Sequence, residues 1–389
     1  MKNLYQGDRG ILVSYMQLAL KRAGYPLLVD GIFGTNTCRA LADFLQTDRT
    51  PDRICVVDRS VWEKLLPYLR GYATEEGENR ILFEDPVTSV EVPYTSLLTA
   101  AVIDGLLARY PFLKSGEIGK SVMGKPISYL EIGNGEKEVF YNASFHANES
   151  ITTPVLLKFA EEYAQAYEKG TALYGVPAAE LFEEYRLFLV PLVNPDGVDL
   201  VNGLLTDGGY YRRAQQIASD YPAIPFPAGW KANIEGIDLN LQFPAGWENA
   251  KRIKYAQGYT KPAPRDYVGE VPLTAPESEA VYAFTRSHDF RLILAYHTQG
   301  EVIYWKYLDY EPARSYEIAQ YFGRVSGYTV EQTPTQSGYA GYKDWFIQEY
   351  DRPGYTIETG MGENPLPMSD FAGIYRDNTV ILLVGMTQI

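Results

Sequence analysis

Short apolar runs of strand length alternate with helix-like segments from about residue 93 to the end of the chain. Strands separated by helices favour a parallel or mixed sheet covered by helices. The runs lie near 113–119, 127–133, 138–144, 186–193, 290–296, 301–306 and 354–358. The helical segments include 97–110, 153–168, 276–287, 312–325 and one from about 369. The predicted fold class is therefore α/β.

Three of the apolar runs end at or beside residues that could carry chemistry. His146 and Glu149 follow one run within His146-Ala147-Asn148-Glu149, His297 closes another, and Glu358 closes a third. Ligands in open α/β sheets sit at the carboxyl ends of strands. Two histidines and a carboxylate leave one coordination position open, as a catalytic zinc requires, and Glu358 could then act as a base. An isolated His-x-x-Glu pair is common by chance, so the shared position at strand ends carries the prediction of one Zn²⁺ site.

Charge excludes some partners. The chain has 49 acidic and 35 basic residues and a formal net charge of -14. This balance disfavours nucleic acid, which is bound through Lys and Arg contacts to phosphate, and anionic membrane surfaces. No apolar run approaches 18 residues, so no membrane span is expected.

Two features bear on where the chain works. The first residues lack the apolar core of a secretion signal, which predicts cytoplasmic synthesis. A disulfide between Cys38 and Cys55 is possible, but without a secretion signal reduced thiols are the favoured prediction.

Residues 1–70 predict a separate unit of three helices, followed by a linker over 71–92 that is rich in Glu, Gly and Pro. The unit resembles the three-helix peptidoglycan-binding domain of bacterial wall hydrolases. The resemblance rests on Gly7-Asp8-Arg9-Gly10, on Leu18 to Tyr25, and on Asp30-Gly31-Ile32-Phe33-Gly34 with Thr37 and Ala40-Leu41. It implies wall binding, although such a unit can also serve only for docking.

Residues 93–389 contain ordered motifs: Phe145 to Ile151, Asn194-Pro195-Asp196-Gly197, Gly236-Ile237-Asp238-Leu239-Asn240, Ala295-Tyr296-His297, Gly338 to Trp345 and Thr356-Ile357-Glu358. Together they resemble the zinc metallocarboxypeptidases of the carboxypeptidase A type. The resemblance implies an eight-stranded mixed sheet flanked by helices and preceded here by the small three-helix domain.

The same resemblance implies residue roles. His146, Glu149 and His297 would bind zinc, and Glu358 would move a proton from the attacking water to the leaving amine. Asp238 would orient a ligand histidine, although a turn cap explains it nearly as well. Arg212 would stabilise the oxyanion, with Arg213 or Lys231 as alternatives. The implied substrate-binding residues are Asn240, Tyr339, Tyr342 and Lys231.

Leu241 departs from the family pattern, which has an arginine there that clamps the substrate's terminal carboxylate. Leucine cannot replace a bidentate arginine, so an ordinary carboxypeptidase activity is disfavoured.

The whole chain resembles the bacterial γ-D-glutamyl-L-diamino acid endopeptidases of spore-forming bacteria, which implies a muropeptide or peptidoglycan substrate and a possible place in the spore. The segment from Glu358 to Pro365 is typical of that branch, and Glu363 could meet a substrate ammonium.

Two alternatives stay open. The first is a metallocarboxypeptidase that trims a terminal residue from muropeptides or other peptides, with Lys231, Arg212 or Arg213 supplying the carboxylate clamp. The second is a non-catalytic wall-binding protein, which the intact ligand set and Glu358 disfavour.

Overall fold

In the computed structural model of the chain, residues 2–46 and 55–389 are described. The N-terminal region packs three helices, α1 (Ile11–Arg22), α2 (Thr35–Phe44) and α3 (Arg59–Arg70), beside a short antiparallel pair, β1 (Leu4–Tyr5) and β2 (Val56–Val57). Tyr15, Met16 and Trp62 are among its fully buried side chains. The prediction of three helices is confirmed.

Cys38 and Cys55 form a disulfide in this region. The prediction of reduced thiols is therefore wrong. It rested on the apparent lack of a secretion signal, and residues 17 positions apart in the chain give no local sign that their side chains meet.

The segment 71–92 is an ordered connection. It begins with an antiparallel hairpin, β3 (Tyr72–Glu75) and β4 (Glu78–Ile81). Val87 and Val92 are buried, and the backbone N–H groups of Val87 and Thr88 donate to the Glu161 carboxylate at 2.6 and 2.8 Å. The predicted linker thus packs against the following region along part of its length.

The remaining helices and strands follow in this order along the chain. They are α4 (Ser96–Arg109), β5 (Lys114–Lys120), β6 (Pro126–Ile132), β7 (Lys137–Ala143), α5 (Thr152–Glu168), β8 (Ala172–Leu173), β9 (Val176–Pro177), α6 (Ala178–Glu184), β10 (Tyr185–Val190), α7 (Pro195–Val201), α8 (Gly208–Ser219), α9 (Trp247–Ala256), α10 (Pro276–Arg286), β11 (Leu292–His297), β12 (Val302–Tyr304), α11 (Ser315–Ser326), β13 (Thr329–Glu331), α12 (Tyr342–Tyr350), β14 (Gly354–Glu358) and α13 (Phe371–Thr387). Short 3-10 turns occupy Ala147–Glu149, Leu239–Leu241 and Met368–Asp370.

Eight strands form one mixed sheet in the order β13-β12-β14-β11-β7-β10-β6-β5. The central strands β10, β7, β11 and β14 are mutually parallel, whereas β5 and β6 pair antiparallel with their neighbours. At the other edge, β12 pairs antiparallel with β14 and parallel with β13. β10, the next strand of this sheet along the chain, pairs with one edge of β7. β11, which comes later, pairs with the other edge of β7. The crevice at the carboxyl ends of β7 and β11 is therefore a topological switch point, where such sheets bind ligands.

Helices cover both faces of this sheet, as the alternation of strands and helices predicts. Alternate residues of β7 face opposite cores: Tyr141 packs with residues of α5 and α13, and Phe140 packs with residues of α10 and α12. Among residues 2–46 and 55–389, no helix has the length and hydropathy that a membrane crossing needs.

Candidate metal centre and active site

His146, Glu149 and His297 converge at the switch point. His297 is the last residue of β11, and His146 and Glu149 lie in the turn that follows β7. One ligand atom from each lies within 4.8 Å of the other two. The Nδ1 atoms of the histidines are 3.2 Å apart and approach the two Glu149 oxygens at 2.9 and 3.0 Å.

Two imidazole nitrogens and a carboxylate are donors that zinc takes in hydrolytic sites. The residues therefore fit one zinc ion, and the predicted ligand set is brought together. All three side chains are almost fully enclosed, since those of Glu149 and His297 are each 1% exposed and that of His146 is 13% exposed.

Asp238 holds the outer side of this cluster. Its Oδ1 lies 3.2 Å from Nε2 of His146, and its Oδ2 accepts from the backbone N–H of Asp266 at 3.0 Å. Burial alone would lower the pKa of His146, but the carboxylates of Glu149 and Asp238 outweigh it and raise that pKa to about 9. A carboxylate bound to the outer ring nitrogen fixes the orientation of a ligand histidine. Asp238 also caps its turn by accepting from the Asn240 N–H, so the same carboxylate contacts His146 and the turn backbone.

Asn194 fastens the segment that carries His146 to the segment that carries Lys231. Its amide donates to the carbonyls of Phe145 and Ala232 at 3.1 and 3.0 Å, and its Oδ1 accepts from the Gly197 N–H at the start of α7. The Ala147 N–H donates to the Lys231 carbonyl at 2.9 Å. The Asn-Pro-Asp-Gly motif therefore has a positioning role.

Lys231 is the cation placed against the ligand cluster. Its Nζ lies 3.0 Å from Oε1 of Glu149, and its side chain is 17% exposed. Burial alone would raise the pKa of Glu149, but His146 and Lys231 outweigh it and hold that pKa well below its usual range. Glu149 is thus ionised and ready to bind a metal.

Glu358 ends β14 directly beside His297 of β11. Burial raises the pKa of its carboxyl; His297 opposes the shift and the Glu149 charge adds to it. A carboxyl group whose pKa is raised in this way is suited to accept and release a proton.

A cavity of about 240 Å³ opens onto the cluster. His146, Lys231, Asp238, Asn240 and Glu358 line it. Leu241 lines it too, so the residue at the position of the family's arginine borders the same cavity.

Arg213 and four further residues that the sequence proposes for substrate binding or oxyanion stabilisation lie outside the cavity lining. Arg212 is exposed on α8, Glu363 is exposed in the loop after β14, and Tyr339 packs near Tyr307. Tyr342 is fully buried, with its hydroxyl 2.9 Å from Oγ1 of Thr285, so it is a core residue. In this structure Lys231, and not Arg212, is the cation at the metal centre.

The cavity also contains charged residues that the sequence reasoning missed. Lys254, Arg265, Asp266, Lys343 and Asp344 all line it. They lie in stretches without a strand-like pattern. The only indication of them in the sequence is that Arg265-Asp266 and Lys343-Asp344 are adjacent residues of opposite charge.

Known proteins resemble this chain in sequence and fold. Over 285 residues it is 47% identical to gamma-D-glutamyl-L-diamino acid endopeptidase 1 of Lysinibacillus sphaericus, covering 73% of this chain and 70% of that protein. Its fold matches carboxypeptidase A of Helicoverpa armigera with a TM-score of 0.57 at 18% identity, covering 91% of this chain and 95% of the other. Thrombin activatable fibrinolysis inhibitor matches with a TM-score of 0.60 at 18% identity, covering 77% and 75%.

The profile of the family described as zinc carboxypeptidase, peptidase M14, matches residues 99–380. This range contains all the strands of the mixed sheet, the three candidate metal ligands and Glu358. The chain belongs to the zinc carboxypeptidase family of metallopeptidases.

Proposed function

We propose that this chain cleaves the bond between γ-D-glutamate and meso-diaminopimelate, or L-lysine, in the stem peptides of peptidoglycan. The choice of bond is supported by the relative with 47% identity, which is named for this kind of cleavage. Leu241 on the cavity wall supports it too, because an apolar side chain offers no clamp for a terminal carboxylate beside the scissile bond.

His146, Glu149 and His297 would hold the zinc ion. Bound there, zinc would supply Lewis-acid chemistry for peptide hydrolysis. The Glu358 carboxylate takes a proton from the attacking water and passes it to the leaving amine. The Lys231 ammonium, 3.0 Å from Glu149, stabilises negative charge that develops on the scissile carbonyl oxygen. Asp238 keeps His146 oriented.

The test is mass spectrometry of L-Ala-γ-D-Glu-meso-diaminopimelate, with and without a terminal D-Ala, after incubation with zinc-loaded protein. Release of L-Ala-D-Glu from both peptides by the native protein supports the proposal. Glu358→Gln should bind zinc equally but lose about 10²- to 10⁴-fold in rate, the usual contribution of a general acid–base. Release of D-Ala alone would replace the proposal with the carboxypeptidase, and zinc-loaded protein that cleaves nothing would favour the wall-binding protein.

We also propose that residues 1–70 bind the glycan of the wall. A cavity of about 520 Å³ in this region is lined by Tyr25, Leu27 and Leu28, with Gln17 and Asp30 as polar groups. Leu28 is 76% exposed there. Co-sedimentation with insoluble peptidoglycan should weaken in Leu28→Ala but not in Val271→Ala, a matched exposed position elsewhere that is 54% exposed. Equal sedimentation of all three proteins would contradict this role.

A further inference from the structure

One wall of the active-site cavity carries two cations that share one carboxylate. Asp266 Oδ1 lies 2.5 Å from Nζ of Lys254, and its Oδ2 lies 2.6 Å from Nε of Arg265. All three residues line the cavity. The three side chains together therefore carry a net positive charge. Leu241, which lines the same cavity, contributes no charge.

Arg265 is the member of this group that can reach a ligand. Its side chain is 42% exposed, against 9% for Lys254 and 14% for Asp266. Its bond to Asp266 uses Nε, and within the described part of the chain its two terminal nitrogens donate to no acceptor. A guanidinium with free terminal nitrogens presents the planar pair of donors that matches a carboxylate.

The backbone on both sides of Arg265 is fixed to the metal centre. The Pro264 carbonyl accepts from the N–H groups of Lys231 and Ala232 at 2.7 and 2.9 Å. On the other side, the Asp266 N–H donates to Asp238 at 3.0 Å. Arg265 is thus held at a set distance from the ligand histidine that Asp238 orients, as a recognition residue needs to be.

We propose that Arg265, supported by Asp266 and Lys254, binds a substrate carboxylate that lies away from the scissile bond. The inference rests on the proposed function and refines its substrate class. A γ-linked D-glutamate keeps a free α-carboxylate on the acyl side of the scissile bond. A meso-diaminopimelate residue carries another carboxylate at the end of its side chain, and lysine has none there.

The test pairs changes in the protein with changes in the substrate. The protein forms are native, Arg265→Gln, Arg265→Lys and Arg376→Gln. Arg376 is the matched control, because its Nε also donates to the next residue, Asp377, on the surface of α13. The substrates are L-Ala-γ-D-Glu-meso-diaminopimelate, its analogue with the glutamate α-carboxylate as carboxamide, and the analogue with L-lysine. Zinc content and thermal unfolding are measured for each protein form.

Native protein should prefer one carboxylate-bearing substrate over the analogue that lacks this carboxylate by about 10- to 100-fold in kcat/KM, as expected for a charge-assisted pair. Arg265→Gln should lose that preference, Arg265→Lys should keep part of it, and Arg376→Gln should keep all of it. Loss of the glutamate-to-carboxamide preference assigns the D-glutamate α-carboxylate, and loss of the diaminopimelate-to-lysine preference assigns the side-chain carboxylate.

Two results would overturn the inference while leaving the proposed function intact. One is native protein that cleaves all three peptides equally. The other is Arg265→Gln with both preferences unchanged. Native protein that cleaves none of the peptides would instead remove the proposed function, and the inference with it.

Discussion

At the metal centre, Lys231 is proposed to combine two tasks, the pairing with Glu149 and the stabilisation of the oxyanion. Its ammonium group pairs with Glu149 and lines the cavity toward Glu358. Lys231→Gln should lower kcat by about 10²- to 10³-fold, because a preorganised donor to the developing oxyanion is lost.

Zinc content has to be measured beside kcat, since Lys231 also touches a ligand. Lys231→Arg should recover part of the rate, because it keeps the charge. Unchanged kcat in the zinc-loaded glutamine variant would show that the oxyanion is stabilised elsewhere.

The sequence could name the ligands but could not rank the cations around them. His146, His297 and Glu358 end apolar runs, and parallel pairing brings such ends together whatever the loops between them do. Arg212 and Lys231 lie in a long segment whose path is set by tertiary bonds, such as that from Ala147 to Lys231. The burial of Tyr342 was not foreseen, because a tyrosine in a loop motif and a tyrosine in the core look alike in one sequence.

At the scale of elements, Gly197 in α7 allows the Asn-Pro-Asp-Gly segment to lie close beneath the metal centre. A Cβ there would meet the Ala232 carbonyl at 2.7 Å and the Ala147 Cβ at 2.8 Å. Gly197→Ala should therefore destabilise the protein by about 1 to 3 kcal/mol, as overpacking does, and weaken zinc binding.

Gly209 in α8 is the matched control, since a Cβ there meets nothing within 4 Å. Gly209→Ala should leave stability unchanged or slightly raised. Chemical denaturation of both variants checks this pair, and equal stability would show that α7 can move aside.

Glu277, at the start of α10, carries a second prediction at this scale. Burial raises the pKa of its carboxyl to about 7, although Asn233 and the Val122 N–H donate to it. Because the folded pKa exceeds the unfolded one, its contribution is complete below about pH 4.5 and is lost as the pH rises to about 7.

Between pH 5 and pH 8 this group should remove about 2 to 3 kcal/mol from the free energy of unfolding. Glu277→Gln should abolish that part of the pH dependence, whatever its stability at pH 5. Glu279→Gln, at an exposed position of the same helix, should leave it in place. Urea unfolding at both pH values measures the difference, and parallel pH curves for the native protein and the Glu277→Gln variant would refute the assignment.

The elements that the sequence predicted best are those with a continuous apolar pattern. The predicted run 354–358 coincides with β14, and 138–144 differs from β7 by one residue at each end. The sequence pattern predicts no helix at α8 or α9, since their apolar faces are short and interrupted by charged residues. Their helical form depends on packing that one sequence does not display.

At the scale of the whole molecule, Tyr15 joins the N-terminal helices to the segment that leads into α4 and the region of the mixed sheet. Its buried hydroxyl lies 2.9 Å from both the Pro93 carbonyl and Oγ1 of Thr95. Tyr15→Phe should cost about 1 to 3 kcal/mol, because it leaves buried polar groups without a partner. Limited proteolysis within the hairpin β3–β4 should then accelerate.

Tyr5→Phe is the control, at an exposed position of the same region. It should unfold and be cleaved like the native protein. If Tyr15→Phe also behaves like the native protein, the two regions are joined mainly by other contacts.

Arg22 reinforces this junction by donating to the Leu69 and Val87 carbonyls at 3.1 and 2.7 Å. Two regions joined by these contacts have little freedom to rotate relative to each other. The distance between the active-site cavity and the cavity around Leu28 should therefore stay nearly constant. A glycan bound at the cavity around Leu28 would then place in the active site only those stem peptides that lie at one fixed distance along the glycan chain. Cleavage would therefore follow the regular spacing of stem peptides along the glycan. A short free peptide would be cleaved without this restriction.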